Sequence, residues 1–126
     1  MTLFERIRKE IPDGLVLKTL VVGNRFKVKS VESERLVFFV GTKTDIAVSK
    51  ACWNGIPNFL KGKGWVKIGA KHEVTVNVYN FTLEKYLREC TSSKSRPSQG
   101  IYVASLLEYL KVAEVDHNRP SKLRLL

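Results

Sequence analysis

The chain has 126 residues, 44% of them hydrophobic, and its 22 Lys and Arg against 12 Asp and Glu give a net charge of +10. This size fits one globular domain or two small lobes, and no run approaches the ~20 apolar residues of a membrane span. The first ten residues carry both charge signs and no apolar block follows them, so we expect no signal peptide and a cytoplasmic protein.

The basic excess is the strongest global signal. It creates a positive field that favours polyanions, most commonly nucleic acid. Residues 1–70 carry 13 basic and 6 acidic side chains, and residues 71–126 carry 9 and 6. We therefore expect the N-terminal half to contact phosphate as well. Solubility or an acidic protein partner is the alternative explanation.

The first half of the chain predicts a short helix followed by a meander of antiparallel strands. The helix covers residues 2–10 and ends at Pro12-Asp13-Gly14, since proline cannot continue it and Asp-Gly favours a turn. Branched or alternating apolar residues then predict four strands, over residues 15–22, 25–31, 35–40 and 45–48.

The second of these strands alternates apolar residues with Arg25, Lys27 and Lys29. Such a strand buries one side and presents three cations on the other. This stripe suits phosphate tracking, because each phosphate contact releases counterions. The alternative is an ordinary exposed face, or a sheet edge protected by lysines.

Ser49 is a plausible N-cap for a helix that reaches Leu60. Gly55 and Pro57 inside it predict a kink or two short pieces. Residues 61–65 (KGKGW) follow; they suit either phosphate and base contacts or a helix C-cap followed by a core tryptophan. We favour the C-cap. Strands are then expected over residues 65–68 and 71–80.

The sequence contains no clear catalytic or redox motif. Cys52 and Cys90 have no CxxC spacing and lie in apolar helix-like patterns, so buried free thiols are expected ahead of a disulfide. His72 and His117 show neither HxH nor HExxH spacing, and Asp45 with Lys50 lacks the converging carboxylates of a nuclease. We expect a protein that is not an enzyme and that has no cofactor and no metal; nuclease activity is the alternative.

Residues 82–126 read as helix (TLEKYLREC), polar connection (TSSKSRP), helix (SQGIYVASLLEYL), strand (VAEV), turn (DHNRP) and strand (SKLRLL). This order resembles the winged-helix branch of the helix-turn-helix superfamily, over about a third of the chain. In that family the second helix enters the major groove and the wing contacts backbone or minor groove.

The resemblance implies a set of DNA contacts on that helix and on the wing. Glutamine suits a bidentate contact with adenine, and serine suits several bases. The implied contacts are Ser98, Gln99, Tyr102 and Ser105 at base edges, Lys94 and Arg96 at phosphates of the groove entrance, and Asn118, Arg119 and Lys122 in the wing. The alternative is a helix packed on a sheet with a polar, solvated face.

Together these observations predict an α+β fold with a basic β-rich lobe over residues 1–80 and a winged-helix-like portion over residues 81–126. The expected function is binding of double-stranded DNA by a small regulator or accessory factor. RNA is an alternative ligand, and a homodimer is compatible with this interpretation. The alternative functions are a protein–protein adaptor and an accessory subunit of a nucleic-acid enzyme.

Overall fold

The computed structural model describes residues 1–19, 24–69, 81–91, 99–118 and 120–126. Its helices and antiparallel sheets confirm the predicted α+β class. The elements in chain order are α1 (Leu3–Glu10), β1 (Val16–Lys18), β2 (Arg25–Val31), β3 (Arg35–Val40), β4 (Thr44–Ser49), α2 (Lys50–Leu60), β5 (Val66–Lys67), α3 (Leu83–Thr91), α4 (Gly100–Tyr109), β6 (Ala113–Asp116) and β7 (Lys122–Leu125).

The chain forms two compact units, Met1–Phe59 and Leu60–Leu126, which we call the N-terminal and C-terminal units. The sequence suggested a division after residue 80. The boundary lies earlier because β5 pairs with β7, with Val66 opposite Leu123. The strand expected over residues 71–80 lies outside the described residues, as do the end of the strand expected over residues 15–22 and the connection at residues 92–98.

The N-terminal unit is built on a four-stranded antiparallel sheet in the order β1-β2-β3-β4. Its core contains Phe26, Phe38 and Trp53, whose rings meet edge to face with centroids 5.4 Å and 6.1 Å apart. The Phe4 amide of α1 donates to Asn54 Oδ1 of α2 at 2.9 Å. Helix α2 is one element through Pro57, not two pieces.

The C-terminal unit contains a three-stranded antiparallel sheet in the order β5-β7-β6, together with α3 and α4. Thr82 begins α3 as predicted, because its Oγ1 accepts the Lys85 amide at 3.0 Å. Among the described helices of the whole chain, none is long and apolar enough to cross a bilayer.

The expectation of free cysteines is wrong. Cys52 and Cys90 are both disulfide-bonded. Cys52 is fully buried, whereas Cys90 is exposed. The expected burial is therefore confirmed for Cys52 and wrong for Cys90. Spacing along the chain does not show which side chains come within bonding distance.

A buried carboxylate organises the two helices of the C-terminal unit. Glu84 lies in the first turn of α3 and its side chain is fully buried. Its Oε1 accepts hydrogen bonds from the backbone amides of Gln99 and Gly100, at 2.8 Å and 2.7 Å, where α4 begins. Its Oε2 lies 2.9 Å from Nε of Arg88, which is 8% exposed. A negative charge at a helix N-terminus satisfies amides that have no intrahelical partner.

We predict that Glu84→Ala lowers the free energy of unfolding by about 3 kcal/mol, because it removes the carboxylate from a buried arginine and from two buried amides. Urea denaturation measures the change. Glu89→Ala is the matched control: Glu89 also belongs to an i,i+4 pair of α3, with Lys85, but its side chain is 66% exposed. Equal losses in the two variants would contradict the organising role of Glu84.

Candidate functional site

The outer face of the N-terminal sheet brings cations and apolar groups together. In the antiparallel register Val16 lies opposite Lys27, and Lys27 lies opposite Phe39. Directly opposite residues share one face of a sheet. In the neighbouring row Lys18 lies opposite Arg25. We call these five residues the basic sheet face.

The pleat of β2 produces this face. Phe26 and Val28 point inward and are 4% and 0% exposed, whereas Arg25 and Lys27 are exposed. This confirms the predicted alternation. The register shifts between Val28 and Ser30, so Lys29 lies at an irregularity in the pairing of β2 with β3. Its side chain is nevertheless exposed.

A shallow hollow of ≈ 310 Å³ opens on the basic sheet face. Nζ of Lys27 lies 5.3 Å from the centroid of the Phe39 ring, within range of a cation–π interaction. The hollow thus combines an apolar surface with two cationic side chains. Its lining residues are Val16, Arg25, Phe26, Lys27, Phe39 and Gly41.

The cations of this sheet differ in how far they are already neutralised. Lys29 pairs with Asp45, with Nζ 2.8 Å from Oδ2, and Arg35 pairs with Glu32 at 2.8 Å. Hydrogen bonds from Arg35 and then from Ser30 hold the pKa of Glu32 below its usual value. These partners reduce the attraction of Lys29 and Arg35 for a further anion.

Within the part of the chain that the structure describes, Lys18, Arg25 and Lys27 have no carboxylate partner. Lys18 and Arg25 even lie directly opposite each other. Like charges in that position destabilise a sheet. A bound anion would relieve this repulsion, so the face is electrostatically suited to one.

The residues expected to contact bases occupy different environments. Gln99 is 0% exposed and Ser105 is 5% exposed, with Ser105 Oγ donating to the Ile101 carbonyl at 2.9 Å. Neither side chain is open to a ligand in this fold. Tyr102 is half-buried, and burial raises the pKa of its hydroxyl.

The phosphate-contacting and wing residues are only partly described. Asn118 follows β6 and is exposed, and its backbone amide donates a hydrogen bond to Asp116 Oδ1 at 3.0 Å. Lys122 is half-exposed on β7. The remaining predicted contacts lie outside the described residues: Lys94, Arg96, Ser98 and Arg119. Two helices and a hairpin do occur in the predicted order, and the winged-helix resemblance stays a prediction.

Sequence reasoning missed the aromatic member of the basic sheet face. The strand over residues 35–40 was predicted without assigning its two faces, but Leu36, Phe38 and Val40 face the core whereas Phe39 is half-exposed. A period-two interpretation of this strand would have identified it. Trp65 was expected in the core; it is 43% exposed, so that expectation is wrong.

Comparisons with protein-family models, curated proteins and solved structures each found no match to this chain. Across the described residues, no three His, Cys, Asp or Glu side chains are grouped so that they could hold a metal ion.

We predict that Gln99→Met raises the free energy of unfolding by about 1 kcal/mol, because both polar atoms of the buried Gln99 side-chain amide lack a hydrogen-bond partner among the described residues. An apolar side chain of similar shape removes that cost. Urea denaturation of the variant against the unmodified protein measures it. Gln99→Glu, which adds a buried charge beside Glu84, should be strongly destabilised. A clear loss of stability in Gln99→Met would show that the amide is satisfied.

Proposed function

We propose that this chain is a nucleic-acid-binding protein and that the basic sheet face supplies its main phosphate contacts. The observation that supports the proposal most directly is the exposure of Lys18, Arg25 and Lys27 on one sheet face, none of them with a carboxylate partner among the described residues. Arg25 and Lys27 also line the open hollow. The net charge of +10 adds long-range attraction for a polyanion.

The spacing of the cations suits a backbone that runs along β2. Arg25 and Lys27 are two residues apart on one face, which separates their Cα atoms by about 7 Å. Successive phosphates of an extended nucleic-acid strand are separated by a similar distance. Each phosphate that a cation contacts releases counterions from the nucleic acid, so affinity falls steeply with salt.

The apolar members of the face define what else it can bind. Val16 is 56% exposed, and Phe39 lies beside Lys27. Both suit contact with a sugar or base but provide no hydrogen-bond donor or acceptor for reading base edges. We therefore propose weak sequence selectivity, in a role such as a small regulator or accessory factor.

The proposal differs from the sequence-based expectations in two respects: duplex DNA as the ligand and a cytoplasmic location. Reading of duplex DNA by α4 depended on Gln99 and Ser105, which are buried. The proposal accordingly names nucleic acid and leaves the choice between duplex and single strand to the binding test. It also leaves out a cytoplasmic location, because disulfides are uncommon in reducing compartments.

We predict that Arg25→Ala/Lys27→Ala lowers affinity for random-sequence DNA at least tenfold at low salt, and reduces the slope of log K against log salt by about 1.8. Fluorescence anisotropy with labelled duplex and single strand measures both. Arg8→Ala/Lys9→Ala is the matched control: it removes the same charge from exposed positions of α1.

Equal losses in the two double variants would mean that net charge, not the basic sheet face, determines binding. If the unmodified protein bound neither duplex nor single strand at low salt, the nucleic-acid proposal would be overturned. The adaptor interpretation, with an acidic protein partner, would then replace it.

A second prediction follows from the ion pair between Lys29 and Asp45. Asp45→Asn should raise affinity for the same DNA several-fold and increase the salt slope by about 0.9, because it frees Lys29 for one further phosphate. Glu34→Gln removes the same charge from an exposed position between β2 and β3 and is the matched control. Similar gains in both variants would argue against a specific release of Lys29.

A further inference from the structure

An exposed tryptophan and an arginine form a stacked pair in the C-terminal unit. Trp65 directly precedes β5 and is 43% exposed. Val66 lies opposite Leu123 in β7, so the next residue of β7, Arg124, lies beside Trp65. The guanidinium carbon of Arg124 is 4.5 Å from the centroid of the Trp65 ring.

The edge of the same guanidinium is held by a carboxylate. Glu114 of β6 lies opposite Arg124, and its Oε1 accepts from Nε of Arg124 at 2.5 Å and also from Nη2. The ring on one side and the carboxylate at the edge fix the guanidinium plane. The arginine side chain is 47% exposed, so about half of its surface is available to a ligand. We call Trp65, Arg124 and Glu114 the Arg–Trp platform.

The chemistry of this platform favours stacking over phosphate binding. Glu114 already accepts hydrogen bonds from two N–H groups of Arg124 and offsets the positive charge of the guanidinium. Arg124 is therefore poorly suited to bind a phosphate in a bidentate manner. The hydrogen bonds with Glu114 involve the edge of the guanidinium and do not cover its flat face. Nucleobases stack on arginine planes and on aromatic rings, and this stacking tolerates every base. Bases inside a duplex cannot offer a face, so the fitting ligand is an unpaired nucleotide.

A cation lies two residues from Arg124 on the same strand. Lys122 and Arg124 share one face of β7, because side chains alternate along a strand. Within the described residues Lys122 has no ion-pair partner, although Asp116 lies opposite it in β6. It is therefore placed to contact a phosphate next to a stacked base.

From this geometry we infer that the Arg–Trp platform binds an unpaired base of single-stranded nucleic acid by stacking, with Lys122 at the adjoining phosphate. The inference rests on the proposed function and deepens it, because it names single strands as the ligand and adds a surface in the other unit of the chain.

Tryptophan fluorescence tests the stacking directly. The chain has two tryptophans, and Trp53 is fully buried whereas Trp65 is 43% exposed. An unlabelled oligothymidylate that stacks on the platform should quench the emission of Trp65. Trp65→Phe keeps a ring beneath Arg124 but should abolish the quenching. The complementary duplex should leave the emission unchanged.

A pair of arginine variants separates stacking from charge. Arg124→Lys keeps the positive charge but loses the planar group, and we expect about fivefold weaker binding of the oligothymidylate by anisotropy. Arg35→Lys is the matched control, because Arg35 is also an exposed arginine paired with a glutamate, and it should bind normally. Duplex affinity should be unchanged in both variants.

The outcomes distinguish this inference from the proposed function. Quenching by the single strand, together with a selective loss in Arg124→Lys, supports stacking on the platform. Binding of the oligothymidylate without quenching, and with equal affinities for Arg124→Lys and Arg35→Lys, overturns the inference and leaves nucleic-acid binding intact. If neither nucleic acid binds at low salt, the proposed function and this inference both fail.

Discussion

The alternation of side chains along β2 is the constraint on which the N-terminal unit and its candidate site both depend. Phe26 and Val28 must face inward, because their burial builds the core against Phe38. The same pleat then sends Arg25 and Lys27 outward. Core packing therefore fixes the position of these cations, and a register slip of one residue would bury charge and expose phenylalanine.

In the C-terminal unit a buried charge has the corresponding role. Glu84 binds the first amides of α4, and this contact fixes where the helix begins. The backbone amide of Gln99 is one of the two donors, and this residue is 0% exposed. A helix whose first turn is tied to a buried carboxylate cannot offer that turn to a DNA groove. The first turn of α4, where Gln99 was expected to read bases, is thus occupied by a contact inside the protein.

The sequence indicated the local elements more reliably than their environment. Period-two alternation identified the outward cations of β2. The helix that starts at Thr82 was also predicted correctly, and its cap is local because it acts over three residues. The contact between Glu84 and the backbone amide of Gln99 joins positions fifteen residues apart. The pairing that places Trp65 beside Arg124 joins positions still further apart. Such contacts arise from tertiary pairing, which periodicity along one segment does not encode.

Arg25 and Arg124 show why net charge alone is a poor guide to mechanism. Both are exposed arginines on strands, and each adds equally to the formal charge. Arg25 lies opposite Lys18 with no carboxylate partner among the described residues, so a phosphate relieves an existing repulsion. Arg124 is already paired with Glu114 and stacked on Trp65, so a phosphate adds little, whereas a planar base gains a prepared surface. The neighbours of each guanidinium, rather than its charge, determine which part of a nucleic acid it suits.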